Sequence, residues 1–170
     1  MLLKESLNST TLPIADVKTA ETIKEAILIL EEHSFSIIFL DLFLPDSVGL
    51  ETLTKLAQQY IKSPIIISSG VSDAQVAVKA ISLGAQDFLI KGEYTPELLE
   101  KTISYSMQRK ESEQLLKSSE ESYRYLFDNN PAAIFIWDLD TFQILEVNEA
   151  SVKLYGYTKE KKRIRNLEAF

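Results

Sequence analysis

Three residues with useful chemistry each close a short apolar run. Asp41 follows Ile37-Ile38-Phe39-Leu40, Ser68 and Ser69 follow Ile65-Ile66-Ile67, and Lys91 follows Phe88-Leu89-Ile90. A carboxylate can attack a phosphoryl donor and carry the transferred group as an acyl phosphate. A hydroxyl and an ammonium can then hold the oxygens of that group through charge-assisted hydrogen bonds. Each residue alone has a plainer reading, because an Asp behind a strand commonly serves a turn or a helix cap. It is the succession of three that points to a site.

The apolar runs are β-branched or aromatic and do not alternate with polar residues, the pattern of strands buried on both faces in a parallel sheet. A weaker run of this kind is Ile14 to Val17. Helical spacing lies between the runs. Ile23, Ala26, Ile27 and Leu30 share one face, as do Leu50, Leu53, Leu56, Ala57 and Tyr60, and then Ala77, Ala80 and Ile81. Ser72 with Gln75 reads as a capping box for the third of these helices, and Gly84 as its C-cap. Thr95 before Pro96 reads as an N-cap with proline in the first helical position. Residues 14–110 thus alternate strand and helix, which is the logic of right-handed crossovers and an open parallel sheet. In such sheets ligands bind outside the carboxyl ends of the strands. Asp41, Ser69 and Lys91 are therefore expected to converge at one edge.

The last helix continues past the point where a domain would close. No proline or glycine occurs between Pro96 and Phe127, and residues 108–122 are mostly polar. A seam from Leu98 through Thr102, Tyr105, Arg109, Ser112, Leu116, Ser119 and Tyr123 to Leu126 has heptad-like spacing. It offers a homodimer contact, and a solvated single helix reads equally well because only some members are apolar. Asn129-Asn130-Pro131 breaks the helix. Two strand-like segments follow, Ala133–Trp137 and Ile144–Val147, joined by a turn near Asp138-Leu139-Asp140. Asn148 fits an N-cap for a helix through Leu154, Gly156 its end, and Thr158 the start of another.

Composition narrows the functional classes. At 170 residues, with 45% apolar residues, the chain can build one domain or one and a half. The net charge of −7 opposes binding to nucleic-acid backbones or anionic membranes. Lys161-Lys162-Arg163 with Arg165 reads as a solvated helix face. With no cysteine, disulfides, thiolate metal sites and thiol catalysis are excluded. No run is long enough to span a membrane and Met1–Ser6 has no signal-peptide core, so a cytoplasmic location is expected. His33, the only histidine, suits solvent or a helix C-cap. No Gly-x-Ser-x-Gly elbow or P-loop is present. A carboxylate-nucleophile phosphatase would want a second Asp two residues after Asp41, where Phe43 stands.

Residues 36–53 (Ser-Ile-Ile-Phe-Leu-Asp-Leu-Phe-Leu-Pro-Asp-Ser-Val-Gly-Leu-Glu-Thr-Leu), with Pro-Ile-Ile-Ile-Ser-Ser-Gly at 64–70 and Gly-Ala-Gln-Asp-Phe-Leu-Ile-Lys-Gly at 84–92, resemble the response-regulator receiver family. The resemblance implies a flavodoxin-like open parallel sheet over residues 1–110. It implies that Asp41 is the phospho-acceptor, that Ser69 and Lys91 contact the phosphoryl group, and that Phe88 reorients when the hydroxyl moves. It also implies Mg²⁺, ligated by Asp41 and the backbone carbonyl of Phe43. Two departures stand out. Gly92 occupies the place of a common proline. The family's first strand, with its acidic Mg²⁺-binding pair, has no counterpart, because Met1–Leu7 resembles the end of the first helix. Glu5 and Asp16 are weak substitutes, and Asp46 suits a turn or cap. Both ends of the chain are read as falling inside recognisable domains, and a sheet without its first strand is expected to be unstable or to self-associate.

Residues 123–140 and 147–158 resemble the start of a PAS sensor domain. The organisation expected is a receiver-like domain over 1–110, a long helix over 95–127 and the N-terminal part of a PAS domain over 123–170. Phe135, Trp137 and Tyr155 read as core aromatics ahead of the lining of a ligand pocket. The function implied is two-component phosphorelay signalling, with a histidine kinase as partner and no enzymatic activity of the ordinary kind. A receiver-like interaction module that is not phosphorylated, or a piece of a hybrid sensor kinase, are the alternatives.

Overall fold

The computed structural model describes residues 2–59, 62–70 and 73–156. The chain divides into two units, Met1–Glu113 and Gln114–Phe170.

In the first unit, helix α1 (Leu2–Asn8) leads through an irregular stretch to α2 (Ile23–Glu32), β1 (Ile38–Leu40), a small hairpin of β2 (Phe43–Leu44) and β3 (Ser47–Val48), α3 (Leu50–Ala57), β4 (Ile65–Ser69), α4 (Ala74–Ser82) and β5 (Asp87–Ile90). Helix α5 (Pro96–Asp128) follows. The sheet is parallel with the order β1-β4-β5, pairing Leu40 with Ile67 and Ile67 with Phe88. The apolar runs form its strands because both faces are covered. On one face Leu40, Ile67 and Ala80 pack with Ile23, Leu53 and Leu56. On the other, Ile66 and Leu89 pack with Leu7, Leu99 and Ile103.

Several expectations are corrected. Ile14–Val17 is not a strand. Among the described residues no strand lies on the open side of β1, so the segment has no ladder to join. Three residues upstream of it, the Thr11 amide donates to the Glu100 carboxylate. The N-cap of α4 is Asp73, whose carboxylate accepts from the Gln75 amide at 2.8 Å. Ser72 and Tyr60 lie outside the described residues, as do Thr158 and the basic run at 161–165. The Thr95 cap forms, its hydroxyl accepting from the Leu98 amide, and His33 is the C-cap of α2. The heptad seam is not one exposed stripe. Thr102 turns into the core beside Leu99 and Ile103, whereas Leu98, Tyr105, Leu116, Tyr123 and Leu126 are exposed.

The second unit pairs β6 (Phe135–Trp137) with β7 (Ile144–Val147) in antiparallel register, followed by α6 (Glu149–Tyr155). Asn148, fully buried, organises it. Its Oδ1 accepts from the amides of Ile134 and Ser151, both at 3.0 Å, and its Nδ2 donates to the carbonyls of Asn130 and Ala132. The strand β6 starts at Phe135, two residues later than the apolar run suggests, just past the Ile134 amide that Asn148 takes. No helix of the described residues is long and apolar enough to cross a membrane.

Candidate functional site at the carboxyl edge of the sheet

Asp41 is the first residue past β1, and its carboxylate is held from two sides. Oδ1 accepts from the Phe43 amide at 3.0 Å. Oδ2 forms an ion pair with the Lys91 ammonium, delivered by the residue that follows β5. The pair is half-exposed, with 26% of the Asp41 side chain and 43% of the Lys91 side chain accessible. It is therefore open to an incoming group.

Ser69 ends the central strand and is fully buried. Its carbonyl accepts from the Lys91 amide at 2.8 Å, so the last residue of β4 fixes the backbone from which the ammonium projects. Ile67 pairs with Phe88 and Ser69 with Ile90. Because side chains alternate along strands, Ser69 and Phe88 face the same side of the sheet. Phe88 is half-buried against the core on that face. Asp41 and Lys91 are thus brought into contact, with Ser69 at the end of β4 between them and Phe88 further back in β5 on the same face as Ser69.

After Asp41 the chain makes a loop that sequence reading does not resolve. The hairpin pairs Phe43 with Val48 and Leu44 with Ser47, leaving Pro45-Asp46 as its turn. The Gly49 amide closes the loop on the Leu42 carbonyl at 2.7 Å, and the Thr52 hydroxyl donates to the same oxygen. Asp46 reaches across to α2. Its Oδ1 accepts from the Ile23 amide at 2.9 Å and its Oδ2 from the Lys24 amide at 3.2 Å. The Ile23 bond is the largest influence and holds its carboxyl below the usual Asp range; desolvation opposes it, and the Lys24 bond, smaller again, adds to the lowering. Asp46 thus sits in a turn and caps a helix, as expected of it, and the amides it caps lie more than twenty residues away in sequence.

A hard divalent cation needs about six oxygen ligands. Among the described residues no group of three or more acidic or histidine side chains is placed to hold a metal. Phe43 meets Asp41 through its amide, and Asp16 pairs loosely with Lys18 at 4.0 Å. Asp41 and the Phe43 carbonyl do not make an Mg²⁺ site by themselves. Gly92 has φ +84° and no cis peptide bond occurs among the described residues, so the family's proline is replaced by a residue in a conformation proline does not reach.

A parallel sheet with a carboxylate and an ammonium joined at its carboxyl edge is the architecture of a receiver. The response regulator receiver domain matches residues 1–103 and the PAS domain matches residues 121–170. The chain belongs to the response regulator receiver family, with a PAS segment following. It is similar to the cell cycle response regulator CtrA of Brucella ovis, 34% identical over 99 residues. That alignment covers 58% of this chain and 39% of CtrA, so the chain spans well under half the length of the curated relatives it matches. A signal receiver domain from Vibrio parahaemolyticus superposes with a TM-score of 0.57 at 30% identity, over 68% of this chain and 85% of that one. A CheY-like receiver domain protein from Methanospirillum hungatei shares the fold, with a TM-score of 0.56 at 23% identity over 66% and 89% of the two chains.

Proposed function

We propose that this chain is a phospho-acceptor in two-component signalling, in which Asp41 takes a phosphoryl group from a phosphohistidine on a partner histidine kinase. The observation that carries the reading is the Asp41–Lys91 pair at the open end of the sheet. One Asp41 oxygen attacks phosphorus, the donor P–N bond breaks, and the imidazole leaves with its electron pair. Lys91 then faces the oxygens of the acyl phosphate, and the Ser69 hydroxyl turns to donate to one of them. Phe88, on the same face as Ser69, takes the space the hydroxyl vacates, and the new charge biases the α4–β5–α5 side of the fold. The PAS segment is the output or sensor to which α5 connects. The protein works in the cytoplasm as a switch and not as an enzyme. Its charge of −7 keeps nucleic acid and membranes out of this reading. The exposed Leu116, Tyr123 and Leu126 on α5 support a homodimer through that helix.

A second reading is favoured by the lack of an acidic cluster among the described residues. Here the chain is a receiver-like interaction module that takes no phosphate. Incubation with acetyl phosphate and Mg²⁺, followed by intact-mass measurement, separates the two. One added phosphate on wild type and none on Asp41→Asn supports the switch. No addition on either overturns it in favour of the interaction module.

A further inference from the structure

We infer that Asp46 is a positioning residue for Asp41, a role that rests on the reading of Asp41 as phospho-acceptor. The amides of the first turn of α2 would otherwise have no partners. Thr22 caps locally, its hydroxyl accepting from the Glu25 amide at 3.2 Å and its carbonyl from the Ala26 amide at 3.0 Å. The Ile23 and Lys24 amides are taken by Asp46, one by each carboxylate oxygen. A distant residue thus completes the cap, and a carboxylate there also suits the positive end of the helix dipole.

That bond fixes more than the helix. Asp46 is the tip of a hairpin whose other end is Phe43, and the Phe43 amide is the group that orients Asp41 Oδ1. The base of the loop is closed by Gly49 on Leu42. The loop is pinned at its base by Leu42 and at its tip by Asp46, so the Phe43 amide has little freedom between them. Without Asp46 the tip is released and the amide that sets the Asp41 rotamer is free to drift. Sequence alone suggests a turn or a cap at Asp46 without naming the helix it caps, because that helix's first turn lies more than twenty residues back along the chain.

The test compares wild type, Asp46→Ala, Asp46→Asn and Thr22→Ala in the full chain. Phosphate uptake from acetyl phosphate with Mg²⁺ is followed by intact mass over time, and the Phe43 amide by ¹H–¹⁵N NMR. Thr22→Ala weakens the same helix end without touching the hairpin, so it reports what loss of capping does alone. Asp46→Ala is expected to take phosphate on the order of tenfold more slowly, within the range that a misplacement of ~1 Å costs. Asp46→Asn, which keeps one acceptor oxygen, should fall between, and Thr22→Ala should match wild type. The Phe43 amide should shift in Asp46→Ala and stay in Thr22→Ala. Equal rates in wild type and Asp46→Ala, or equal slowing in Thr22→Ala, would overturn the inference. If wild type itself takes no phosphate, the Asp41 reading fails separately and the Phe43 amide decides the tether: a shift confined to Asp46 variants supports it, and none overturns it.

Discussion

The Lys91 ammonium is paired with Asp41 Oδ2 across the ends of two strands that do not touch, β4 lying between them. Both partners are partly exposed, and exposed ion pairs contribute roughly 0–1 kcal/mol to folding. The same ammonium next to a transferred phosphoryl group acts on charge that develops during the reaction, where losing one such contact costs on the order of 10²–10³ in rate. Lys91→Met is therefore expected to leave the melting temperature nearly unchanged while slowing phosphate uptake at Asp41 by about that factor. Parallel thermal melts and intact-mass time courses check it. A large fall in melting temperature with uptake preserved would contradict the assignment.

Asp46 makes stability depend on pH in a defined direction. Its carboxyl titrates below the usual Asp range in the folded chain, chiefly because the Ile23 amide binds the charged form. A depressed folded value stabilises the fold above the unfolded value, and that contribution is lost as pH falls through the folded one. The window lies below about pH 4, where a free Asp protonates. Urea unfolding of wild type and Asp46→Asn at pH 6 and at successive steps below pH 4 should show the wild-type advantage shrinking towards acid. An advantage that stays constant would show that charge on Asp46 is unimportant.

The positions of β1, β4 and β5, and hence of Asp41, Ser69 and Lys91, are legible in the sequence because each strand is a continuous apolar run covered on both faces. Ile14–Val17 has the same composition in weaker form, yet a strand needs a neighbour, and composition does not say whether one exists. The β2–β3 hairpin is too short, two residues a strand, to leave a periodic signal. Long-range polar contacts are equally silent. The Gln86 carbonyl accepts from Arg109 at 2.9 Å, and its amide side chain donates to Glu113. These contacts join residues more than twenty positions apart with no motif to mark them. Local capping is legible where side chain and helix are neighbours, as at Thr95 and Asn148, and illegible where they are not, as at Asp46.

Gly92 sets the backbone directly behind Lys91, with φ +84°. Proline is locked near −65°, so installing the residue common in this family should disturb the site here. Gly92→Pro is expected to lower the melting temperature and to loosen Lys91. Gly92→Ala meets no neighbouring atom within 4 Å, so its cost is the left-handed backbone alone, roughly 1–2 kcal/mol. Denaturation of the two variants side by side checks the order. A proline variant as stable as wild type would mean that the turn after β5 rearranges freely.

Among the described residues of the second unit Asn148 has the most hydrogen bonds to its side chain, and this unit carries the protein's single tryptophan, Trp137. Besides the four amide and carbonyl contacts, Asn148 Oδ1 accepts from the Ser151 hydroxyl at 2.8 Å, and that hydroxyl also lies 2.8 Å from the Ile134 carbonyl. Asn148→Ala would leave the Ile134 and Ser151 amides buried without an acceptor and the Asn130 and Ala132 carbonyls without a donor. Each stranded buried group costs about 1–3 kcal/mol, part of which water recovers. A net loss of roughly 2–4 kcal/mol is expected for this unit alone. Tryptophan fluorescence isolates it, since no other residue reports at that wavelength, while circular dichroism follows the helices of the whole chain. The fluorescence transition should move to lower denaturant in Asn148→Ala with the helical transition of the first unit retained. Unchanged fluorescence would mean that water or a neighbouring polar group replaces the whole network.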